Sequence, residues 1–314
     1  MQIYLIFRKF ASGVILNDPE RQGMEALKLQ TPVEAGHSRI KISLKDRIFV
    51  LGSCFADNIG GKMHELGFDI TVNPFGTLYN PVSVCNSIAR LTSGIPFTED
   101  DCVQMGAGAG LFCSFSHHTS FARRTKEEFL QHANASLEAA SRRWKEATKV
   151  IITLGTAWIY EYARSGELVS NCLKIDAKEF TRRRLTVRNT AVLLTNMLAK
   201  HPDKEFIFTV SPIRHLKDGV HGNQLSKSTL LLALEETIDK TPEKCAYFPA
   251  YEIVLDELRD YRFYARDMVH PSEQAVDYLW SRFIDFAIPQ DELPELESRR
   301  KEFLRSQHHR ILAQ

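Results

Sequence analysis

The feature that most constrains the fold is a set of short, almost wholly apolar runs, each of which ends in small or polar residues. The runs lie at residues 48–51, 150–154 and 206–210. Continuous apolarity over four or five residues is typical of strands buried on both faces. Segments with helical spacing separate the runs, and this alternation continues over about 240 residues, which predicts a parallel sheet with helices on both sides.

The first run leads directly into a turn that carries two nucleophilic side chains. Gly52 is followed by Ser53 and Cys54, and apolar residues then recur with helical spacing from Phe55 to Leu66. This pattern predicts a buried strand, a tight turn and the start of a helix. A hydroxyl or thiol in such a turn lies near backbone N–H groups and the positive end of the helix dipole, which both favour a developing anion.

Polar clusters follow four of the predicted strands, at residues 52–54, 73–80, 155–158 and 211–215. The carboxyl ends of parallel strands lie at one edge of a sheet, and open α/β sheets bind their ligands at that edge. We therefore expect these clusters to gather around one site.

The candidate partner for the turn is the segment Asp-Met-Val-His-Pro-Ser at 267–272. The Asp267 carboxylate, three residues before His270, can accept the Nδ1–H of that ring and leave Nε2 free as a base. In the alternative interpretation, Asp267 caps a turn and His270 simply begins a helix. Together with the turn at Cys54, the segment predicts a site in the order nucleophile, Asp, His.

Composition excludes several classes of function. The 314 residues are 44% hydrophobic and 25% charged with a net charge of +1, so we expect no nucleic-acid or anionic-membrane partner. Six cysteines are scattered without CxxC spacing, which indicates reduced thiols and favours a cytoplasmic location. No apolar run approaches the roughly 20 residues of a membrane helix.

The sequence predicts one domain flanked by two terminal segments. We expect an N-terminal extension of uncertain structure at residues 1–30, a single domain at 31–289 and a charged helical tail at 290–314. The arginine-rich segment 182–184 is interpreted as a solvated helix face.

Several of these segments together resemble a known family. The string Leu-Gly-Ser-Cys-Phe-Ala at 51–56 matches the string that names the GSCFA-domain family. Other segments resemble further blocks of the family in the same order, at 73–76, 114–118, 154–158, 211–215 and 267–272. On this basis the chain is identified as a member of the family over residues 31–287.

The GSCFA family is similar to the SGNH (GDSL-like) hydrolases. That resemblance implies a flavodoxin-like three-layer α/β/α sandwich with a five-stranded, mainly parallel central sheet. It also implies ester hydrolysis or acyl transfer. No pair of histidines has the i, i+4 spacing of an HExxH metal site, so we expect no metal, and we expect no cofactor.

The first SGNH block reads Gly-Asp-Ser, and this chain departs from it. The resemblance puts Ser53 at the Asp position and Cys54 at the Ser position. Either the Cys54 thiol is the nucleophile, or a small local shift presents the Ser53 hydroxyl. A thiol is intrinsically the stronger nucleophile and needs less help from a base. A free cysteine can also be a small buried core residue.

A second departure concerns the oxyanion. The SGNH block Gly-x-Asn-Asp is Gly-Thr-Ala-Trp here at 155–158, so the donating Asn is missing. Its candidate replacements are the Thr156 hydroxyl, a backbone N–H near Gly155 and the Asn73 side chain. Gly76 would stand for the glycine that donates its N–H in the second block.

Four further side chains lie in the predicted site loops, namely His117, His118, Arg214 and His215. Each is a candidate to bind substrate or orient water, and each can instead be satisfied within a polar loop. Adjacent residues point in different directions, so we expect at most one of His117 and His118 to face the site.

We therefore expect a hydrolase or acyltransferase that acts on an acyl ester, such as an acetyl ester, of a small molecule or saccharide. Cys54 or Ser53 attacks, His270 transfers the proton, Asp267 orients His270, and backbone N–H groups from Gly52 onward bind the oxyanion. The alternative is a non-catalytic small-molecule or glycan-binding domain that has kept the fold and lost the oxyanion hole. The oligomeric state is left open.

Overall fold

The computed structural model describes residues 31–312, with side chains described as far as residue 306. The predicted extension at 1–30 lies outside the described residues. Among the described helices, none is long and apolar enough to cross a membrane.

Five parallel strands form the central sheet. They are β1 Arg47–Gly52, β2 Asp69–Val72, β5 Lys149–Leu154, β9 Glu205–Val210 and β10 Cys245–Tyr247. Their order in the sheet is β10-β9-β5-β1-β2, and every neighbouring pair is parallel. Numbered within the sheet this is the flavodoxin-like order 2-1-3-4-5. The α/β fold predicted from the apolar runs is confirmed, and the sheet is wholly rather than mainly parallel.

Helices cover both faces of the sheet. They are α1 Cys54–Glu65, α2 Pro81–Ser93, α3 Lys126–Glu146, α4 Val187–Ala199, α5 Gly219–Lys240, α6 Glu273–Ala287 and α7 Leu293–Leu312. Alternate side chains of a strand point to opposite faces. Accordingly Phe49 and Leu51 belong to the core with α2 to α5, while Ile48 and Val50 belong to the core with α1 and α6.

Two small antiparallel sheets stand beside the central one. Strands β3 Val103–Gln104 and β4 Phe112–Cys113 form one, and β6 Trp158–Tyr162, β7 Glu167–Val169 and β8 Phe180–Arg184 form the other. The interpretation of 182–184 as a helix face is wrong, because these arginines lie on β8. The Arg182 guanidinium packs 4.1 Å from the centroid of the Trp158 ring on the neighbouring strand β6, a contact that the run of charges alone does not predict.

Two helical segments follow the last two strands of the sheet. Helix α5 begins at Gly219, soon after the end of β9. After β10, a short helical turn at Ala250–Glu252 continues as a π-helix at Ile253–Glu257. Both segments lie close in sequence to the loops at the carboxyl edge of the sheet.

Candidate functional site

The turn between β1 and α1 is closed tightly around Gly52. Gly52 has a φ of 138°, and a Cβ at this position would lie 2.1 Å from the Thr153 carbonyl oxygen. Its N–H donates to Asn73 Oδ1 at 2.8 Å, and its carbonyl accepts from the Leu78 N–H at 2.8 Å. Only glycine fits this close approach of β1 to β5, so the first residue of the turn is dictated by the fold.

Ser53 is the N-cap of helix α1 and is fully buried. Its Oγ accepts from the Phe55 N–H at 3.2 Å and lies 3.2 Å from Thr153 Oγ1. Its own N–H donates to the Thr153 carbonyl at 3.1 Å. The Ser53 hydroxyl therefore satisfies the helix start from inside the protein.

Cys54 is the first residue of α1 and is half-buried. Its Sγ lies 3.7 Å from the Tyr79 hydroxyl, which accepts a hydrogen bond from Thr77 Oγ1 at 3.2 Å. The hydroxyl hydrogen of Tyr79 is therefore available to the sulfur. Burial raises the pKa of Tyr79 to about 12, so this phenol remains a donor at neutral pH. Within residues 31–312, the Cys54 N–H donates to no other group.

The loop after β2 supports the turn through its backbone and amide groups. Asn73 has a φ of 41°, and its Nδ2 donates to Asp57 Oδ1 in the first turn of α1 at 2.7 Å. Gly76 has a φ of 83°, and a Cβ there would lie 2.2 Å from His118 Cβ. The Gly76 N–H donates to the Asn73 carbonyl at 2.8 Å. The N–H predicted to bind an oxyanion is therefore used within this loop.

The loop after β5 is hydrogen-bonded to Tyr79, the residue whose hydroxyl contacts Cys54. The N–H groups of Gly155 and Thr156 both donate to the Tyr79 carbonyl at 2.8 Å. Thr156 Oγ1 lies 2.9 Å from Ser226 Oγ on α5 and accepts from the Trp158 N–H at 3.2 Å. The hydroxyl and both N–H groups predicted as oxyanion donors at 155–156 therefore have partners inside the protein.

Lys227 on α5 is a site residue that the sequence interpretation missed. Its Nζ donates to the carbonyls of Gly155 and Ser211 at 2.7 and 2.6 Å, at the ends of β5 and β9. The side chain is buried, and it forms no ion pair with any described residue. Burial lowers the pKa of Lys227 to about 7. No motif marks this lysine, because its partners are distant backbone carbonyls.

The His215 ring lies against the turn. Its Nε2 atom is buried and has no hydrogen-bond partner among the described residues. A Cβ on Gly155 would lie 3.1 Å from this Nε2 and 3.5 Å from Ser53 Cβ, so a side chain at position 155 would crowd the ring edge. Burial, and then the charges of Lys227 and His270, lower the pKa of His215 to about 4.

Asp267 and His270 form a hydrogen-bonded pair before α6. His270 Nδ1 and Asp267 Oδ2 are 2.6 Å apart, and Asp267 Oδ1 accepts the N–H groups of Val269 and His270 at 2.9 and 3.0 Å. Backbone bonds from His270 and Val269 lower the pKa of Asp267 to about 2. The side chains of His270 and Asp267 are 42% and 50% exposed. The His270 Nε2 atom has no partner in the described part of the chain.

Arg214 attaches this pair to the loop after β9. Its N–H donates to the Val269 carbonyl at 3.1 Å, and its Nη1 donates to the Met268 carbonyl at the same distance. Since His215 is the next residue, the loop of the Asp267–His270 pair and the β1 turn meet at one edge of the sheet.

His117 and His118 have different surroundings. His117 is fully buried, with Nδ1 2.6 Å from Ser114 Oγ and its ring centroid 4.6 Å from that of Phe97. Burial lowers the pKa of His117 to about 3. Its predicted contact with substrate is therefore corrected, because the ring is part of the core. His118 accepts from the Ser120 N–H at 3.2 Å and packs its Cβ over Gly76.

A protein-family model matches the chain, whereas no curated protein does. The model of the GSCFA family matches residues 47–283, from the start of β1 into α6. This match covers most of the chain and includes both the turn at Cys54 and the Asp267–His270 pair. Separately, the described residues contain no cluster of side chains that could hold a metal ion. The chain belongs to the GSCFA family.

Proposed function

We propose that the protein is a hydrolase or acyltransferase that acts on acyl esters with Cys54 as its nucleophile. The observation that carries the proposal is the contrast between two adjacent side chains. The Cys54 thiol is half-buried at a helix start next to a phenol donor, whereas the Ser53 hydroxyl caps that helix from within. The thiol is therefore available to attack, whereas the hydroxyl is held in the helix cap.

In the proposed reaction, His270 Nε2 takes the thiol proton while Sγ attacks the acyl carbon. The new C–S bond forms as the carbonyl π electrons move onto oxygen. When the tetrahedral intermediate collapses, the ester C–O bond breaks and the leaving alkoxide takes the proton from His270. Water or an acceptor hydroxyl then attacks the thioester and gives its proton to His270. The C–S bond breaks, and the leaving thiolate takes that proton, which regenerates the Cys54 thiol and the free base. The Asp267 carboxylate keeps the ring oriented through both halves.

A saccharide acyl ester is the substrate class that we favour. Tyr261 is 69% exposed, and its ring centroid is 6.3 Å from that of Tyr264, close in sequence to His270. An exposed aromatic ring such as that of Tyr261 is suited to packing against a sugar ring.

The second candidate function is a binding domain without catalysis. It is favoured by the internal use of the Gly76 N–H and the Thr156 hydroxyl, which removes two of the predicted oxyanion donors. In that case a glycan or other small molecule would occupy the site without forming an acyl–enzyme.

The test is burst acylation by p-nitrophenyl acetate, followed by mass spectrometry of the labelled peptide. We expect one acetyl group on Cys54 in the wild type and in Ser53→Ala, and none at this position in Cys54→Ala. Cys172→Ala is the matched control, because it removes another half-buried thiol. A folded wild type that acquires no acetyl group on Cys54 would contradict the proposal and favour the binding domain.

A further inference from the structure

The proposed acyl transfer needs donors for the oxyanion, and the predicted ones are mostly engaged. The Gly76 N–H, the Gly155 and Thr156 N–H groups and the Thr156 hydroxyl all have partners within the protein. Removal of a single oxyanion donor costs about 10²–10³ in rate. An active site here therefore needs a donor that the family comparison does not identify.

Two polar atoms at the turn have no partner among the described residues, the backbone N–H of Cys54 and Nε2 of His215. A buried polar atom such as His215 Nε2 nearly always has a partner, because an unsatisfied one costs about 1–3 kcal/mol. The two atoms lie in one region, since a Cβ on Gly155 would lie 3.1 Å from His215 Nε2 and 3.5 Å from Ser53 Cβ, in the residue before Cys54. Both atoms are therefore available to a group that the protein does not supply.

We propose that His215 Nε2–H is the side-chain oxyanion donor of this site, acting with the Cys54 backbone N–H, and that Lys227 is its positioning residue. This inference rests on the proposed acyl transfer. His215 would thus perform the task of the Asn that is absent from the loop at 155–158.

The charge state of His215 suits a donor rather than a base. Its pKa is lowered to about 4 by burial, then by Lys227 on α5, His270 before α6 and Arg182 on β8. A neutral imidazole can donate from Nε2 to a developing oxyanion. It also does not compete with His270 for the thiol proton, because its affinity for protons is low.

Helix α5 supports the position of His215 through Asn223 and Lys227. Asn223 Oδ1 accepts the His215 N–H at 2.9 Å, and Lys227 follows four residues later on the same helix face. By bonding the carbonyls of Gly155 and Ser211, Lys227 fixes the ends of β5 and β9. The His215 ring edge lies beside the first of these, Gly155. Lys227 thus acts through the position of His215 and does not contact the acyl group.

The test compares two reactions of the same thiol. Acylation by p-nitrophenyl acetate passes through an oxyanion, whereas alkylation by iodoacetamide is a direct displacement at carbon and forms none. We expect His215→Ala to lower the acylation rate of Cys54 by about 10²–10³ and to leave its alkylation rate unchanged. His215→Gln keeps an N–H donor and should recover part of the acylation rate.

A double-mutant cycle tests Lys227. Lys227→Met should lower acylation but not alkylation, and it should have little further effect in a His215→Ala background, because both changes remove the same interaction. Additive losses would overturn its positioning role.

Three other outcomes are decisive for His215. Equal acylation of the wild type and His215→Ala overturns the role of His215 alone. A parallel loss of acylation and alkylation overturns it as well, because the effect is then structural. Normal alkylation of the wild type without any acylation overturns the proposed function and this inference together.

Discussion

The turn at residues 52–54 carries the proposed nucleophile, and the loop at residues 267–270, here called the base loop, carries the proposed base. The two are built in opposite ways. Gly52 and Ser53 in the turn are buried, and their backbone or hydroxyl groups are bonded to β5 and to the loop after β2. In the base loop, by contrast, the Asp267 and His270 side chains are about half exposed and bond mainly to each other.

This difference separates stability from chemistry. The turn is part of the packing between β1, β5 and α1, so its shape cannot change without disturbing the core. The base loop contributes little to that core, so its residues can be changed without unfolding the protein. We expect substitutions in the turn to affect the free energy of unfolding, except at Cys54, and substitutions in the base loop to affect the reaction.

The largest expected effect is on the reaction, from His270→Ala. Loss of the general base should lower the acylation rate by about 10²–10⁴. The unfolding midpoint should stay near that of the wild type, because the ring is 42% exposed and contacts mainly Asp267. Burst kinetics and thermal unfolding check the two parts. A large fall in the unfolding midpoint would show that the base loop contributes substantially to the stability of the protein.

Gly52→Ala should give the largest loss of stability. The added Cβ meets the Thr153 carbonyl in a backbone conformation with a φ of 138°. Together these should cost about 2–4 kcal/mol in the free energy of unfolding, measured by urea denaturation. The matched control is Gly61→Ala in α1, where a Cβ meets nothing within 4 Å and helix propensity should raise stability. Equal stabilities of the two variants would contradict this description of the turn.

Ser53→Ala should have a smaller effect on stability and little effect on acylation. Removal of the N-cap oxygen should cost about 1 kcal/mol in the free energy of unfolding. Thr125→Ala is a matched control, because Thr125 Oγ1 accepts from the Glu128 N–H at the start of α3, away from the turn. If Ser53→Ala abolishes acylation while Thr125→Ala does not, the nucleophile is the hydroxyl instead of the thiol.

The smallest expected effect concerns pH and Asp267. Its folded-state pKa of about 2 lies below the ordinary value of 3.8, so the folded state binds this proton less readily than the unfolded state. The stabilisation is present above about pH 4 and is lost as the pH falls towards 2. Asp267→Asn should therefore show a shallower acid-side decline in unfolding free energy, measured by urea denaturation between pH 2 and 6. An unchanged slope would show that the pair is not formed in solution.

The apolar runs were sufficient to predict the sheet. Burial on both faces demands continuous apolarity, so the predicted runs at 150–154 and 206–210 coincide closely with β5 and β9. The local i, i+3 spacing of Asp267 and His270 likewise made their hydrogen bond foreseeable, because only one turn of chain joins them. Local patterns predict those features that depend on local geometry.

The remaining features depend on contacts between distant segments. The burial of His117 arises from aromatic rings at Phe75, Phe97 and Phe129, which lie on three separate stretches of the chain. The Lys227 contacts join α5 to two strand ends, and no residue pattern near Lys227 announces them. For the same reason the sequence left the choice between Cys54 and Ser53 open, since that choice depends on contacts with Tyr79 and Thr153.

Tyr79 contacts both the Cys54 sulfur and the loop after β5. Its phenol lies next to the Cys54 sulfur, while its carbonyl accepts both N–H groups of the loop after β5. A bound molecule that contacts the phenol therefore touches the same residue whose carbonyl holds Gly155, the residue beside the His215 ring. Tyr79 thus joins the surroundings of the sulfur to the loop after β5 by its two ends, its side chain and its backbone.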